Sequence, residues 1–509
     1  MTYYQISHFN GKRLADELVI YDEGETTGTN PYGLEAVVEK GIIVKIGSNN
    51  NKIPDRGFVI SGHGKGADII AREFCEGAKV VLDRERFRLG IEIDREAKLY
   101  SVTKSLENVK DRFDLLYAKK EVFDFEKAFD LIKSAGEAIE KENAEGAKKL
   151  LEEAYYYTAE SRQGEIRAIW HRPTEKSAYE VELTVKRLYD AGFNLILVET
   201  NYEGWANAKK CTFDYLPLRP ELEGNSFDPI GEFIRICKKY GIKIHAWVED
   251  FFFGVEGYGC KMLEIRPDLI ARTKSGGYLV DGWDNFIFLN PALDEVHDIL
   301  VNQYKTLLDN YDFDGIQLDY IRYPVIKDLE RSAGFEKQTK SMFKSQTGIN
   351  ADKIKSTDSE EWSIFTQWRA DRVTSYVRRM VDLVNGYKAT GRNIILSTAV
   401  FGNPEEAFRL KCQNWPYWIE QGWLDCIFPM AYLNDAEDVE REIRHMVENY
   451  GKVPNVSGIS PMYSRLPVIE STKQVEACRR AGAAGVAFFE TKALTDLQIE
   501  KLKKGVFRQ

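Results

Sequence analysis

The sequence predicts an α/β protein, a (β/α)8 TIM barrel preceded by a small β-rich domain and a helical linker. Three observations carry this. From residue 165 onward, eight short apolar runs alternate with amphipathic helical stretches. The turn after the first run, Trp170-His171-Arg172-Pro173, lacks the glycines that a doubly wound nucleotide-binding sheet would place there. Acidic residues close several of the runs, and the carboxyl ends of barrel strands are where such folds carry chemistry. The expected divisions are a β-rich N-terminal domain over residues 1–100, a helical hairpin linker over 101–162 and the barrel over 163–509.

The first hundred residues hold strand-like runs, Glu17 to Tyr21 and Gly41 to Ile46, between Gly, Asn and Asp clusters. Phe58 to Ser61 leads into Gly62-His63-Gly64-Lys65-Gly66. No GKS or GKT follows, so these glycines read as a structural turn and not as a phosphate cradle. Between 101 and 160, apolar residues recur at helical spacing, as in Phe125, Ala128, Phe129 and Ile132, then Leu150, Leu151, Ala154 and Tyr155. Two antiparallel helices broken near Lys141-Glu142-Asn143 are expected, serving as a bracket between domains.

In the barrel, strands are expected at Ile166 to Trp170, Asn194 to Glu199, Ile242 to Val248, the run ending at Asp319, Asn393 to Ala399, Leu424 to Met430, Val456 to Ser460 and Gly485 to Phe489. Helices are expected at 177–191, 228–240 (stopped by Gly241), 293–310 and about 362–387, with a long excursion from 250 to 290.

The 509 residues, 43% apolar, are enough for well-formed cores. A formal charge of -10 and the lack of a dense basic cluster argue against nucleic acid as partner. The seven cysteines form no CxxC pair and no paired histidines show metal-ligand spacing, so neither a zinc site, a disulfide framework nor a cofactor is expected. That ranks a metal-dependent carbohydrate deacetylase low. No apolar run is long enough to span a membrane, and Met1-Thr2-Tyr3-Tyr4 shows no signal peptide, which leaves cytoplasmic and exported locations both open.

Strand alternation places Gln317 and Asp319 on one face and Ile316 and Leu318 on the other. The same rule groups His245, Trp247 and Glu249. With Glu199 ending the second strand and Glu490 following the eighth, acids converge on one mouth ringed by Trp and Tyr. Mutual repulsion of this kind is tolerated for a function, and a paired acid and base among aromatics is what glycoside hydrolysis requires. Asp319 is the candidate nucleophile or charge-stabilising carboxylate; the rival reading is a turn cap. Glu249 is the first candidate for proton donor, since burial among rings would raise its pKa; the rival is a salt bridge to Arg322. Glu199 and Glu490 are the other acid candidates. His245 and Trp247 are expected to line a sugar subsite or, equally, to pack in the core. Asn290, Tyr320, Arg322 and Tyr432 are candidates for hydroxyl contacts, Arg322 also for a substrate carboxylate. Asp314, at the start of its strand, reads as structural.

Five stretches carry a family resemblance: His245-Ala246-Trp247; Phe288-Leu289-Asn290-Pro291; Asp314 through Pro324; Trp368-Arg369; and Gly422 through Tyr432. In this order they resemble the glycosyl hydrolase-like family 10 barrels. The resemblance implies a (β/α)8 fold acting on glycans, and some family members are associated with bacterial cell-wall glycan. Such barrels often carry Asn-Pro after the His-Ala-Trp-x stretch; here Glu249-Asp250 stands instead, an extra carboxylate at that place. Asp314-Gly315 to Asp319 also looks like the fourth-strand signature of α-amylase-like barrels, in which the later Asp is the nucleophile. The fifth strand ends Thr398-Ala399-Val400-Phe401-Gly402 without the acid those barrels put there. The function expected is therefore glycoside hydrolysis of a polysaccharide or oligosaccharide by a two-carboxylate mechanism, and the alternative is a glycan-binding barrel without catalysis.

Overall fold

The computed structural model describes residues 1–280, 286–326, 328–461 and 468–508. The chain opens on an eight-stranded sheet in the order Thr2–Gln5, Arg88–Glu92, Lys79–Asp83, Ile42–Ile46, Gly33–Glu39, Gly57–His63, Leu18–Tyr21, His8–Phe9. The helix Lys65–Glu73 packs its Ala67 and Ile70 into the core of this sheet, with Leu18, Ile20, Ala36, Val38 and Ile60. The glycine loop entering that helix is a structural turn. A Cβ on Gly66 would stand 2.0 Å from the Glu17 carbonyl oxygen, and Gly64 has φ 56. The first helical N–H, of Lys65, donates to Asp16 Oδ1 at 2.8 Å, so the helix start is already satisfied from within.

Three helices follow, Arg95–Lys119, Phe125–Glu140 and Ala144–Tyr157, each begun by a side-chain cap from Asp94, Asp124 or Asn143. Two were expected. The first helix buries only Ala97, Val102, Leu106 and Val109 over 25 residues, so its charged faces dilute the apolar spacing. Lys120, in the left-handed conformation at φ 56, ends it. The three helices share a small core including Val102, Leu106, Ile132, Ala135, Leu151 and Ala154. Arg112 ties them to the barrel. Its guanidinium grips Glu476 at 2.7 and 2.8 Å and lies 3.7 Å from the centre of the Tyr155 ring, whose hydroxyl donates to the same carboxylate at 2.9 Å.

The remainder is a parallel barrel of eight strands: β1 (Ile166–His171), β2 (Leu195–Glu199), β3 (Lys243–Glu249), β4 (Gly315–Asp319), β5 (Ile395–Val400), β6 (Cys426–Pro429), β7 (Val456–Ile459) and β8 (Gly485–Phe488). Hydrogen bonding runs β6-β5-β4-β3-β2-β1-β8-β7, and the bridges Ile427 to Asn455 and Met430 to Gly458 join β6 to β7 and bring the ends together. Side chains alternate as a barrel demands. Trp170, Leu197, Trp247, Phe428, Val456 and Ala487 fill the interior. Ile196, Val198, Ile316 and Leu318 face outward into the layer beneath the helices. Gln317 points inward and accepts the Trp170 indole N–H at 2.6 Å.

The helix Pro229–Tyr240 is capped by Asp228 and stopped by Gly241 at φ 70. The excursion after β3 forms a three-stranded sheet of Phe252–Val255, Phe286–Phe288 and Leu279–Val280. Among the described residues, no helix is long and apolar enough to cross a membrane.

Candidate active site

The carboxyl ends of β2, β3 and β4 and the residues just beyond β1 and β8 build the site. Glu199 ends β2, Glu249 ends β3 and Asp319 ends β4. The parallel register sets Glu199 beside Trp247 and Glu249 directly beside Asp319. Glu490 follows β8 after a cis peptide bond from Phe489. All four acids predicted from the sequence therefore meet at one end of the barrel.

Their environments differ. Asp319 is partly buried and accepts two hydrogen bonds, from the Trp247 indole at 2.9 Å on Oδ2 and from the Tyr320 backbone N–H at 2.7 Å on Oδ1. Burial raises its pKa, and those two donors oppose the rise. Glu249 is 1% exposed, and neither of its oxygens has a hydrogen-bond partner among the described residues. Burial first, then the charges of its acidic neighbours, hold its carboxyl well above the ordinary range. Glu199 is fully buried. Its Oε1 accepts from Arg172 Nε at 3.0 Å and its Oε2 from none of the described residues, and burial pushes it up to about 8.

Arg172 is the residue that sequence reasoning missed. It follows β1 and brings its guanidinium within 3.9 Å of both Glu249 and Glu490 while bonding Glu199. It lies 4.3 Å from the Tyr202 ring centre, 5.2 Å from Trp247 and 5.7 Å from Phe489. The available signal was an arginine held between a strand end and Pro173. Arg322, the salt-bridge partner of the rival reading for Glu249, lies among the rings of Phe288, Tyr320 and Phe401 and donates to the Tyr323 carbonyl at 3.1 Å.

The substrate-contact candidates divide. Trp247 reaches the site, but one face of its indole is covered by Arg172, and it also packs against Phe489. Tyr320 packs on Phe252 at 4.9 Å, with positive φ, directly after Asp319. Tyr432 lies against Phe489 at 5.4 Å. His245 does not reach the mouth, and its expected place in a sugar subsite is corrected here. Alternation gave the right face but not the depth. His245 pairs with Gly315, four residues before Glu249, or roughly 13 Å deeper at about 3.3 Å per residue. It is buried, and burial lowers its pKa to about 4. Asn290 is fully buried too, donating to Thr339 Oγ1 at 2.8 Å and accepting from the Ala292 N–H at 3.0 Å, so it holds a loop together. Asp250 points behind the strand, taking hydroxyl bonds from Tyr304 at 3.2 Å and Tyr376 at 2.5 Å. The extra mouth carboxylate is thus Glu249. Asp314 sits at the far end, paired with Lys243 at 2.7 Å and bonded by the Ile244 N–H. A cavity of about 760 Å³ lies elsewhere, between Thr29 and Asn49 in loops of the N-terminal segment and Phe408, Arg441 and Glu442 on the barrel flank; none of the four acids lines it.

A (β/α)8 barrel with clustered carboxylates at the carboxyl ends of its strands is a glycosidase-type scaffold. The chain belongs to the glycosyl hydrolase-like 10 family, whose sequence profile matches residues 165–455. It is similar to an S-layer-related protein of Niallia circulans, 26% identical over 53% of this chain and 20% of that protein. It is also similar to glycosyl hydrolase DigH of Escherichia coli K12, 20% identical over 51% of this chain and 60% of that protein. The chain therefore spans only part of the length of these relatives. Among solved structures, the catalytic domain of a β-amylase from Paenibacillus polymyxa superposes with a TM-score of 0.47 at 11% identity, covering 68% of this chain and 98% of that one.

Proposed function

We propose that the barrel hydrolyses glycosidic bonds of a polysaccharide or oligosaccharide, with Asp319 as nucleophile and Glu249 as proton donor. The observation that supports this reading is the contrast between two registered neighbours. Asp319 receives two N–H bonds that favour its charged form, and Glu249 is buried with neither oxygen bonded among the described residues, which favours its neutral form. Asp319 attacks the anomeric carbon as Glu249 gives its proton to the departing oxygen. Water, activated by the resulting Glu249 carboxylate, then cleaves the glycosyl ester and returns the proton. Neighbouring strands stand about 4.8 Å apart, which favours the separation of about 5–5.5 Å used by retaining enzymes over the roughly 6.5–9.5 Å of inverting ones.

The depth of Glu199 and Glu249, at 0% and 1% exposure, favours a second reading, a glycan-binding barrel that performs no chemistry. Reducing-end release from a polysaccharide panel that includes bacterial cell-wall glycan separates the two, with Asp319→Asn as control. Turnover by the wild type that is lost in the variant supports hydrolysis. Binding without turnover by the wild type supports the second reading.

A further inference from the structure

Four carboxyls and the Arg172 guanidinium share the mouth, and the strand order explains their arrangement. β1 lies between β8 and β2 in the sheet. The residue after β1 is therefore flanked by Glu490 on one side and by Glu199, then Glu249, on the other. Pro173 restricts Arg172 to an extended backbone, which fixes the direction from which its side chain leaves. The rings of Tyr202, Trp247 and Phe489 surround the guanidinium and leave its side chain 27% exposed. Asp319, one strand further on, takes its side-chain hydrogen bond from Trp247 and feels Arg172 only as a more distant charge.

The contacts of Arg172 are unequal. Glu199 receives a hydrogen bond at 3.0 Å, whereas Glu249 and Glu490 stand at 3.9 Å. Three buried carboxylates around one cation cannot all ionise cheaply, so at least one keeps a proton. We propose that Arg172 is a positioning residue that sets the order in which the carboxyls ionise, so that Glu199 gives up its proton before Glu249 and Glu249 keeps, to higher pH, the proton that the reaction spends. The inference rests on the hydrolase reading for its purpose, though not for its test. Other charged groups face the same acids: Arg219 and Glu490 act on Glu199, Glu203 and Asp319 on Glu249, and Arg322 on Asp319. Arg172 acts on Glu199, Glu249 and Asp319 and, of these three, hydrogen-bonds Glu199.

The experiment is a carboxyl-carbon NMR titration of the full chain labelled at glutamate, assigned with Glu199→Gln and Glu249→Gln, in the wild type, Arg172→Lys and Arg172→Gln. In the wild type Glu199 ionises at lower pH than Glu249. In Arg172→Gln both midpoints rise, Glu199 by about one unit or more and by more than Glu249, so the gap between them narrows. Arg172→Lys, which keeps the charge, lies between the two. The alkaline limb of the kcat profile moves up with Glu249 in Arg172→Gln. Unchanged midpoints in that variant, with only a lower rate, would mean that Arg172 merely packs and would overturn the proposal. If Arg172→Gln does not fold, the wild-type titration decides, because Glu249 ionising before Glu199 also overturns it. Absence of turnover in the wild type defeats the hydrolase reading and leaves this titration valid.

Discussion

Trp247 and Asp319 sit on adjacent strands, and the indole N–H of one donates to Oδ2 of the other at 2.9 Å. The bond crosses from β3 to β4 at the carboxyl end of the barrel, and it fixes which oxygen of Asp319 remains free of the indole. Asp319→Asn keeps an acceptor for Trp247 and removes the nucleophile. We predict that kcat falls by about 10²–10⁴-fold or more while oligosaccharide affinity, measured calorimetrically, stays near that of the wild type. A parallel loss of affinity would assign Asp319 to binding.

Glu249→Gln removes the proton donor without changing its shape. The expected loss in kcat/KM is about 10²–10⁴-fold on a natural glycan and much smaller on an aryl glycoside whose phenol leaves without protonation, whereas kcat falls on both, because Glu249 also activates the water of the second step. Steady-state kinetics on the two substrates make the comparison. Equal losses in kcat/KM on both would move the donor role to Glu199 or Glu490.

Glu199 links the site to stability. An unfolded glutamate titrates at about 4.3, whereas in the fold Glu199 does so at about 8. Between these values the folded chain holds a proton that the unfolded chain has released. The contribution is therefore full at low pH and is lost as pH rises toward the folded value. Calorimetry from about pH 5 to about pH 8 should show Tm falling more steeply in the wild type than in Glu199→Gln. Parallel slopes would mean that Glu199 carries no such proton.

Arg112 and Glu476 join the helical segment to the barrel through a largely buried, two-pronged pair. Arg112→Met strands the Glu476 carboxylate and should cost about 3–5 kcal/mol in denaturant unfolding. Adding Glu476→Gln should recover part of that loss. Purely additive effects would show that the pair is not coupled.

Much of this architecture was legible in the chain. The outward Ile316 and Leu318 and the inward Gln317 follow from alternation alone, and the stop at Gly241 follows from glycine's access to positive φ. The acids were legible because Glu199, Glu249 and Asp319 each end a strand and Glu490 closely follows one. Depth was not, because the period of two names a face and says nothing about height along the barrel; hence His245 was grouped with Glu249. The helix Arg95–Lys119 was obscured by its charged faces. Arg172 stayed hidden for a different reason. Its role depends on β8 lying beside β1, a neighbourhood created only when the sheet curls round, and nothing near Arg172 in sequence announces Glu490.

The anomer formed first tests the pairing of Glu249 with Asp319 most directly. Proton NMR of a cleaved oligosaccharide, followed from the earliest time points before mutarotation, reads it. The account predicts a first product with the configuration of the bond that was cut, as attack by Asp319 and then by water requires. A first product of opposite configuration would mean that water attacks directly, and Asp319 would not be the nucleophile.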